Sequence, residues 1–234
     1  MEVACVSAEV GAATSRGEKQ GSTVVVRTSV KSSALTSEVR YKGNMTSNTP
    51  NNSASTPNYA ADARFPGPDP YAPLGDVPAF TVTSSDIEEG AEISERFRAP
   101  ENVSPQLSWS DVPEGTKSFA VTCFDPDAPT GSGFWHWAAF NIPADVRELP
   151  TGAGAVEDLG HEGVISLRGD SGQRVYYGPQ PPAGHAPHRY LFAVHAVDVE
   201  KLDIDPDSTP TVLGFNLFFH TLGRAVTWGW YEAH

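Results

Sequence analysis

The stretch Asp125-Pro126-Asp127-Ala128-Pro129 follows an apolar, strand-like run and precedes a second one that begins Phe134-Trp135-His136-Trp137. Further along, the loop Pro181-Pro182-Ala183-Gly184-His185-Ala186-Pro187 leads into His188-Arg189-Tyr190. Proline fixes φ and removes a backbone donor, so both loops hold their polar side chains in few orientations. Two stiff loops that carry aspartates and histidines predict a small, rigid pocket for an anion.

The charge balance limits the partners that this chain can bind. Its 234 residues contain 16 Lys and Arg against 29 Asp and Glu, a formal net charge of −13. The length suits one domain, or one domain with a tail. Nucleic acids and anionic membranes are bound through basic surfaces, so we expect neither as a partner. An anion site must therefore be a local pocket with its own hydrogen-bond donors.

Cysteine usage and hydropathy indicate the cellular compartment. The two cysteines, Cys5 and Cys123, are too few for a disulfide framework, and we expect Cys123 to be an inert buried thiol. No stretch approaches the roughly 18 apolar residues of a membrane span, and the start lacks the basic and apolar regions of a signal peptide. The sequence therefore predicts a cytoplasmic protein without integral membrane association.

Residues 1–63 differ in composition from the rest of the chain. They are rich in Ser, Thr and Asn, and their only aromatic residues are Tyr41 and Tyr59. Because so little apolar surface cannot offset the entropy of ordering, we predict a low-complexity, disordered N-terminal tail. Within it, Val24–Val30 is a candidate strand. An alternative is that the start codon is assigned too far upstream and that part of this tail is not translated.

The domain predicted over residues 64–234 is mainly β, a β-sandwich-like fold with a few peripheral helices. It opens with a proline-rich, extended lead-in that ends near Pro78. Short apolar runs then alternate with turns rich in Pro, Gly and Asp, as in a sandwich. The candidate strands are Phe80–Ser84, Gln106–Trp109, Ser118–Phe124, His136–Ile142, Gly163–Leu167, Arg174–Tyr177 and Tyr190–Val197.

One helix is predicted near the C-terminus. Ser208 is its candidate N-cap and Pro210 suits its first turn. A helical apolar stripe follows, formed by Leu213, Leu217, Phe218, Thr221 and Leu222. Gly223 and Gly229 then mark the end of the helix, and the last apolar residues, Trp228, Trp230 and Tyr231, form a terminal anchor.

The polar residues of the two loops have competing interpretations. Asp125, the first residue after its strand, is expected to line the pocket, whereas Asp127 in isolation is typical of a solvated turn aspartate. His136 in isolation is typical of a hydrogen-bonded core residue. Arg189 either binds phosphate or pairs with a nearby carboxylate.

Enzymatic and metal chemistry find little support in the sequence. His185 and His188 are three residues apart, but Pro187 lies between them and no Cys or Glu motif supplies a third zinc ligand. Nucleophile elbows, glycine-rich phosphate loops and glycosidase-type carboxylate pairs are also missing from the sequence. We therefore expect no catalytic residue, metal or cofactor. The enzymatic alternative is a metal-dependent hydrolase that uses the cluster Asp125, Asp127, His136, His185 and His188.

Four motifs occur together in a specific order. They are Ser104-Pro105-Gln106-Leu107-Ser108-Trp109, the run at 125–129, Phe134–Trp137, and the stretch from Gly184 to Tyr190. With this combination, the chain resembles the phosphatidylethanolamine-binding protein family in its bacterial Raf-kinase-inhibitor-like (YbhB/YbcL-type) branch. The resemblance extends from Pro78 to Tyr231, and the N-terminal sixty residues match nothing in the family pattern.

The resemblance implies a β-sandwich-like body with a ligand pocket at one end. By motif, it implies that the pocket is lined by Asp125, His136, Pro182 and His188, with Asp127, Pro129 and Tyr190 close behind. It also implies a non-enzymatic, homodimeric protein that binds small anions or phosphorylated head groups such as phosphoethanolamine, and that regulates or inhibits a kinase or protease. Some members close the pocket with a tyrosine-bearing C-terminal helix, for which this chain offers only Tyr231.

The predicted binding mechanism relies on charged histidines. Protonated His136 and His188, together with loop amides, would hold the anion, and Trp135 or Trp137 would provide an apolar wall. Asp125 has the wrong sign to bind an anion, so we expect it to orient a histidine and to raise the pKa of that histidine.

Overall fold

The computed structural model of the protein describes residues 57–65 and 67–234. The candidate strand Val24–Val30 and Cys5 lie outside the described residues. The predicted domain boundary at residue 63 stays a prediction, although Tyr59, on its N-terminal side, is buried in the folded domain.

Two antiparallel sheets form the body of the molecule. The smaller has the order β1-β2-β5 and the larger the order β6-β4-β3-β7-β8. The strands are β1 Thr81–Thr83, β2 Leu107–Ser110, β3 Ser118–Asp125, β4 Phe134–Pro143, β5 Glu148–Leu149, β6 Ile165–Ser166, β7 His188–Val197 and β8 Thr221–Tyr231. The fold is thus mainly β with two layers, as the sequence predicted.

The main core lies between the two sheets. The smaller sheet contributes Leu107 and Trp109, and the larger sheet contributes alternate residues of its central strands. These are Phe119, Val121 and Cys123 of β3 and Tyr190, Phe192, Val194 and Ala196 of β7. Cys123 is a free, fully buried thiol, and burial raises its pKa well above the ordinary value. The face that these residues share is here called the inner face of the larger sheet.

The opposite, outer face of the larger sheet is covered by two segments. Helix α2, Pro210–His220, places Leu213 and Leu217 against it. The lead-in, residues 57–78 of which Pro66 is not described, contains helix α1, Asn58–Ala61, and a 3₁₀ turn, Ala72–Leu74. Its side chains Tyr59, Phe65 and Tyr71 cluster with Leu191, Ala193 and Trp228. Both central strands are therefore buried on two faces, which explains their continuous apolar character. Two further 3₁₀ turns are Glu95–Phe97 and Ala153–Ala155.

The predicted strand Arg174–Tyr177 is wrong. Its backbone amides form hydrogen bonds to two different segments. The amide of Tyr176 donates to the carbonyl oxygen of Gly154, and the amide of Tyr177 donates to the carbonyl oxygen of His136. Arg174 is held through its side chain, which donates to Ser166 O at 3.0 Å and pairs with Asp207. The apolar residues of this segment therefore pack against the protein without pairing as a β-strand.

The predicted C-terminal helix is present as α2, with Pro210 in its first turn, but its predicted N-cap and end are wrong. Thr221 and Leu222 belong to strand β8 rather than to the helix, whose N-cap is Thr209 and not Ser208. Phe218, placed on the buried stripe by the sequence, is 55% exposed. Gly223 lies in β8, where a Cβ would come within 2.7 Å of Pro113. Glycine marks a close approach here rather than a helix end.

Candidate functional site

Strand β3 ends where its antiparallel neighbour β7 begins, and this brings Asp125 and His188 together on the inner face. The Nδ1–H of His188 donates to Oδ2 of Asp125 at 2.8 Å, and both side chains are buried. Because an ionised carboxylate only accepts hydrogen bonds, Nδ1 must carry the proton. Asp125 therefore fixes the orientation of the His188 ring, as the proposed mechanism requires.

His136, in β4, lies beside this pair. Its Nδ1–H donates to the carbonyl oxygen of Tyr177 at 2.7 Å, and the Tyr190 ring meets it edge-on at a centroid distance of 5.1 Å. Burial lowers the pKa of His136 below its ordinary value, although the Tyr177 carbonyl and the charge of Asp125 oppose this change. His136 is therefore neutral at neutral pH without a ligand, in contrast to the protonated form assumed from the sequence.

Both imidazoles are held in the same way. Each Nδ1 bonds to a protein acceptor, whereas among the described residues neither Nε2 has a hydrogen-bond partner. A neutral ring presents a lone pair at Nε2, and a protonated ring presents a donor there. Each ring is fixed at one nitrogen and unpaired at the other. At the unpaired nitrogen it can accept a hydrogen bond from a ligand when neutral, or donate one to the ligand when protonated.

Asp127 and Arg189 belong to the outer face. Arg189 is fully buried and donates to both carboxylate oxygens of Asp127, from Nε to Oδ2 at 2.8 Å and from Nη2 to Oδ1 at 2.8 Å. It also donates to the carbonyl oxygen of Tyr59 at 2.7 Å. Asp127 is thus not a solvated turn aspartate, and whether it contacts a ligand stays a prediction. Arg189 pairs with the local carboxylate, so its charge is not available to phosphate.

The remaining predicted residues lie at different depths. Tyr190 is buried beside His136, whereas Pro129 and Pro182 are exposed in the two loops. The Pro182 carbonyl accepts the amide of His185 at 3.2 Å, and the His185 ring lies 5.7 Å from that of His188. Whether these residues contact a ligand stays a prediction.

Tyr231 and the two tryptophans differ in their relation to the site. Tyr231 pairs with His188 across β7 and β8, and the Arg98 guanidinium lies 3.8 Å from its ring centroid. Trp137 is buried in the main core, and Trp135 packs against Phe124 on the outer face. Neither tryptophan forms the apolar wall expected from the sequence.

The aromatic wall consists of residues that the sequence did not assign to it. The Phe134 ring lies 4.7 Å and the Tyr177 ring 6.1 Å from the His136 ring, and both are half-buried. Tyr177 stacks on His136 with an interplanar angle of 19°. Phe134 stands two residues before His136 in a strand, and this spacing indicates a shared face. No sequence signal links Tyr177 to His136, because the hydrogen bond uses a backbone carbonyl.

Among the described residues, no three His, Cys, Asp or Glu side chains are arranged to hold a metal ion. The hydrolase alternative also needs Asp127, whose two oxygens are engaged by Arg189. Within the same described range, no helix has the length and apolar character to cross a membrane.

Two concave regions lie away from the histidine cluster. A groove of about 630 Å³ runs beside β6 and the 201–206 segment, and a cleft of about 40 Å³ lies on the outer face of the larger sheet.

The chain is a small β-sandwich protein with two oriented imidazoles at one end of the inner face, an arrangement suited to binding a small ligand. The sequence model of the phosphatidylethanolamine-binding protein family matches residues 83–232. The chain belongs to this family, which confirms the resemblance seen in its motifs.

Similar proteins include two from Escherichia coli. The protein YbhB of Escherichia coli K12 is 47% identical over 150 residues, covering 62% of this chain and 94% of YbhB. YbcL of the same organism is 44% identical over 154 residues, covering 63% of this chain and 84% of YbcL. The crystal structure of YbcL, described as a new member of the mammalian family, superposes with a TM-score of 0.63 and 42% identity. It covers 66% of this chain and 99% of YbcL.

Proposed function

We propose that this protein binds small anions and phosphorylated head groups at the histidine cluster and does not catalyse a reaction. The observation that carries the proposal is the matched state of His136 and His188. Both rings are fixed at Nδ1 by a protein acceptor, and among the described residues both leave Nε2 without a partner. Family membership supports a binding protein of this type.

A phosphate monoester suits two such nitrogens. Its P–OH group can donate to a neutral Nε2, and its charged oxygens can accept from a protonated one. Binding therefore favours proton uptake by His136, whose pKa burial otherwise lowers. Asp125 contributes indirectly, because it orients the His188 ring and partly balances positive charge that develops there.

The aromatic rim suits the other end of such a head group. Phe134 and Tyr177 present half-buried rings beside His136. An ammonium group is attracted to the face of an aromatic ring within about 6 Å. Phosphoethanolamine combines a phosphate and an ammonium group at a short separation, so we choose it as the probe that best matches the site.

The test is an NMR titration of the histidine ring C–H signals of the protein with phosphoethanolamine. We expect the signals of His136 and His188 to shift together and to saturate with one dissociation constant. His161 and His234 lie outside the cluster and serve as internal controls. Failure of both site signals to move at millimolar ligand would contradict the proposal.

The second part of the proposal is that this protein regulates a kinase or a protease. Its support is the family resemblance rather than a particular contact. A lysate pull-down that compares the wild type with His188→Ala would test it. A kinase or protease retained only by the wild type supports a partner that depends on the pocket, and retention of neither enzyme class contradicts the regulatory role. The cytoplasmic address likewise stays a prediction.

Homodimerisation is proposed to use the exposed side of α2. This helix is apolar on both sides, since Leu213 and Leu217 are buried while Val212, Phe215 and Phe219 are exposed. Helices that are apolar all round are normally covered. The exposed stripe carries no charge, so two copies of an acidic chain can meet there without placing like charges in contact.

The dimer is tested by light scattering after size-exclusion chromatography. Phe215→Glu places a charge in the stripe and should yield a monomer, whereas Asn216→Glu, beside the stripe on the same helix, should remain dimeric. A monomeric wild type contradicts this assignment.

A further inference from the structure

The small cleft on the outer face of the larger sheet lies between the lead-in and α2. It has a volume of about 40 Å³. Its floor comes from three strands of the sheet, through Thr122 of β3, His195 of β7 and Arg224 of β8. The walls are formed by Tyr71, Leu74, Trp135, Gly214, Leu217 and Phe218. Because it opens on the other face of the sheet, this cleft is separate from the histidine cluster.

Four side chains around the cleft have buried polar atoms with little or no hydrogen bonding. Among the residues that the structure describes, no hydrogen bond reaches His195 Nδ1 or Arg224 Nε, and the hydroxyl groups of Tyr71 and Thr122 interact with each other but with no further partner. Thr122, His195 and Tyr71 are 3%, 4% and 8% exposed. A buried polar group without a partner is destabilising, and the great majority of such groups in proteins are paired. Two unpaired nitrogen atoms beside two hydroxyl groups around one cleft indicate that a polar guest belongs there.

The charge of the cleft selects an anion. The Arg224 guanidinium lies 4.5 Å from the Tyr71 ring centroid, and it forms no ion pair within the described part of the chain. Burial lowers the pKa of Arg224, and Tyr71, Tyr59 and the Asp69 carboxylate oppose this change. Guanidinium groups only donate hydrogen bonds, and the hydroxyl groups of Tyr71 and Thr122 can also donate. A partly buried cation with neighbouring donors favours a negatively charged guest over water.

Gly214 keeps one wall of the cleft open. It stands inside α2, where glycine is the least favourable residue after proline. A Cβ built at Gly214 meets no atom within 4 Å, and its φ is not positive, so neither crowding nor backbone conformation requires glycine there. The space left by the missing side chain lies along the side of the helix that carries Leu217 and Phe218.

We propose that this cleft is a second binding site, specific for a short-chain carboxylate such as acetate. The carboxylate accepts hydrogen bonds from Arg224, Tyr71 and Thr122, and the methyl group packs against Leu217 and Trp135. A cavity needs about 10–15 Å³ to hold one water molecule, so a cleft of about 40 Å³ admits a guest somewhat larger than water. Phosphomonoesters, the ligands proposed for the histidine cluster, are too large and too polar for these walls.

The site is tested by titrating the ¹⁵N-labelled full-length protein with sodium acetate, at constant ionic strength set with sodium chloride. The probe is the indole N–H signal of Trp135, identified by its loss in Trp135→Phe. We expect a saturable shift of this signal. Arg224→Gln should weaken the affinity by about tenfold or more, because a charge-assisted hydrogen bond is lost.

Two further variants distinguish this site from the first one and from a general salt effect. Gly214→Ala adds a methyl group where nothing clashes, so the protein should fold normally and bind acetate more weakly. His188→Ala, which disables the histidine cluster, should leave the Trp135 response unchanged. The proposal is overturned if the Trp135 shift does not saturate, as expected for a cleft that holds only water. It is equally overturned if Arg224→Gln and Gly214→Ala bind acetate like the wild type, or if His188→Ala abolishes the response.

Discussion

The carboxylate of Asp127 accepts three hydrogen bonds from Arg189, one from its backbone amide and two from its guanidinium. The residue before Arg189, His188, bonds instead to Asp125. Successive strand residues point to opposite faces of a sheet. Two consecutive residues of β7 therefore bond to the two aspartates of the Asp-Pro-Asp turn. His188 bonds to Asp125 on the inner face, and Arg189 bonds to Asp127 on the outer face.

Loss of the arginine should strongly destabilise the fold. Arg189→Met leaves the Asp127 carboxylate, only 11% exposed, without its partner and removes the hydrogen bond to the Tyr59 carbonyl. Breaking a buried pair from one side costs about 3–5 kcal/mol, and urea unfolding measures this loss. The double variant Arg189→Met/Asp127→Leu should recover part of it.

The matched control for this experiment is Arg64→Met. Arg64 also pairs with a nearby aspartate, Asp62, but its side chain is half-exposed. Solvent screens such pairs, so we expect little change in the free energy of unfolding. Equal losses in Arg189→Met and Arg64→Met would show that the buried pair has no special role.

Removal of a site histidine should weaken anion binding. His188→Ala removes one fixed Nε2 and should reduce the affinity for phosphoethanolamine by about 1.5–3 kcal/mol, the contribution of a charge-assisted hydrogen bond. The measurement is isothermal titration calorimetry. His185→Ala is the control, since this half-buried neighbour has no hydrogen bond to the cluster from its ring. Comparable losses in both variants would place the ligand on the loop rather than on the cluster.

The sequence predicted the central strands well because their residues are buried on both faces. Tyr190–Val197 lies within β7, and Ser118–Phe124 lies within β3. Strand β8 was missed because its glycines were interpreted as the end of a helix. They are explained by residues distant in sequence, such as Ile93, which comes within 2.6 Å of a Cβ built at Gly229. A single sequence carries no signal for such an approach.

The residues of the candidate site were chosen from sequence motifs, which did not reveal how these residues pair with one another. Arg189 had two interpretations, and only the alternation of His188 and Arg189 across the sheet assigns each to its own aspartate. Tyr177 was missed because it holds His136 through a backbone carbonyl, a group that every residue possesses. The sequence also contained no indication that burial lowers the pKa of His136 in the ligand-free protein. Burial depends on the packed structure rather than on the residue type.

Anion affinity should depend on pH through His136. Its pKa in the free protein lies below its ordinary value because the ring is buried, and a bound anion raises it again. Binding therefore takes up a proton, and the affinity for sulfate should fall as pH rises through the interval between the lowered pKa of the free ring and the raised pKa of the bound ring. Calorimetry at several pH values measures this effect. His136→Gln should flatten the profile, although His188 and Asp125 also face the ligand. A wild-type affinity that is constant over this range would contradict the histidine mechanism.

Acid sensitivity of the fold should arise in part from His195. Burial and the charge of Arg224 lower the pKa of His195 to about 3. In the unfolded chain this ring takes up its proton near pH 6.5, so between roughly pH 6.5 and 3 the unfolded state binds more protons than the folded state. The stabilising contribution of neutral His195 is thus complete above this window and is lost as pH falls, at about 1.4 kcal/mol per pH unit.

The measurement is the free energy of urea unfolding at about pH 7.5 and about pH 5.5, for the wild type and for His195→Gln. Glutamine keeps a polar group at this position but does not titrate. The variant should therefore lose less stability on acidification than the wild type, by about 1 kcal/mol over this interval. His136, whose pKa is also lowered, contributes in the same direction in both proteins and cancels in the comparison. Parallel stability profiles for the two proteins would show that His195 is protonated equally in the folded and unfolded states, and that its burial does not make the fold acid-sensitive.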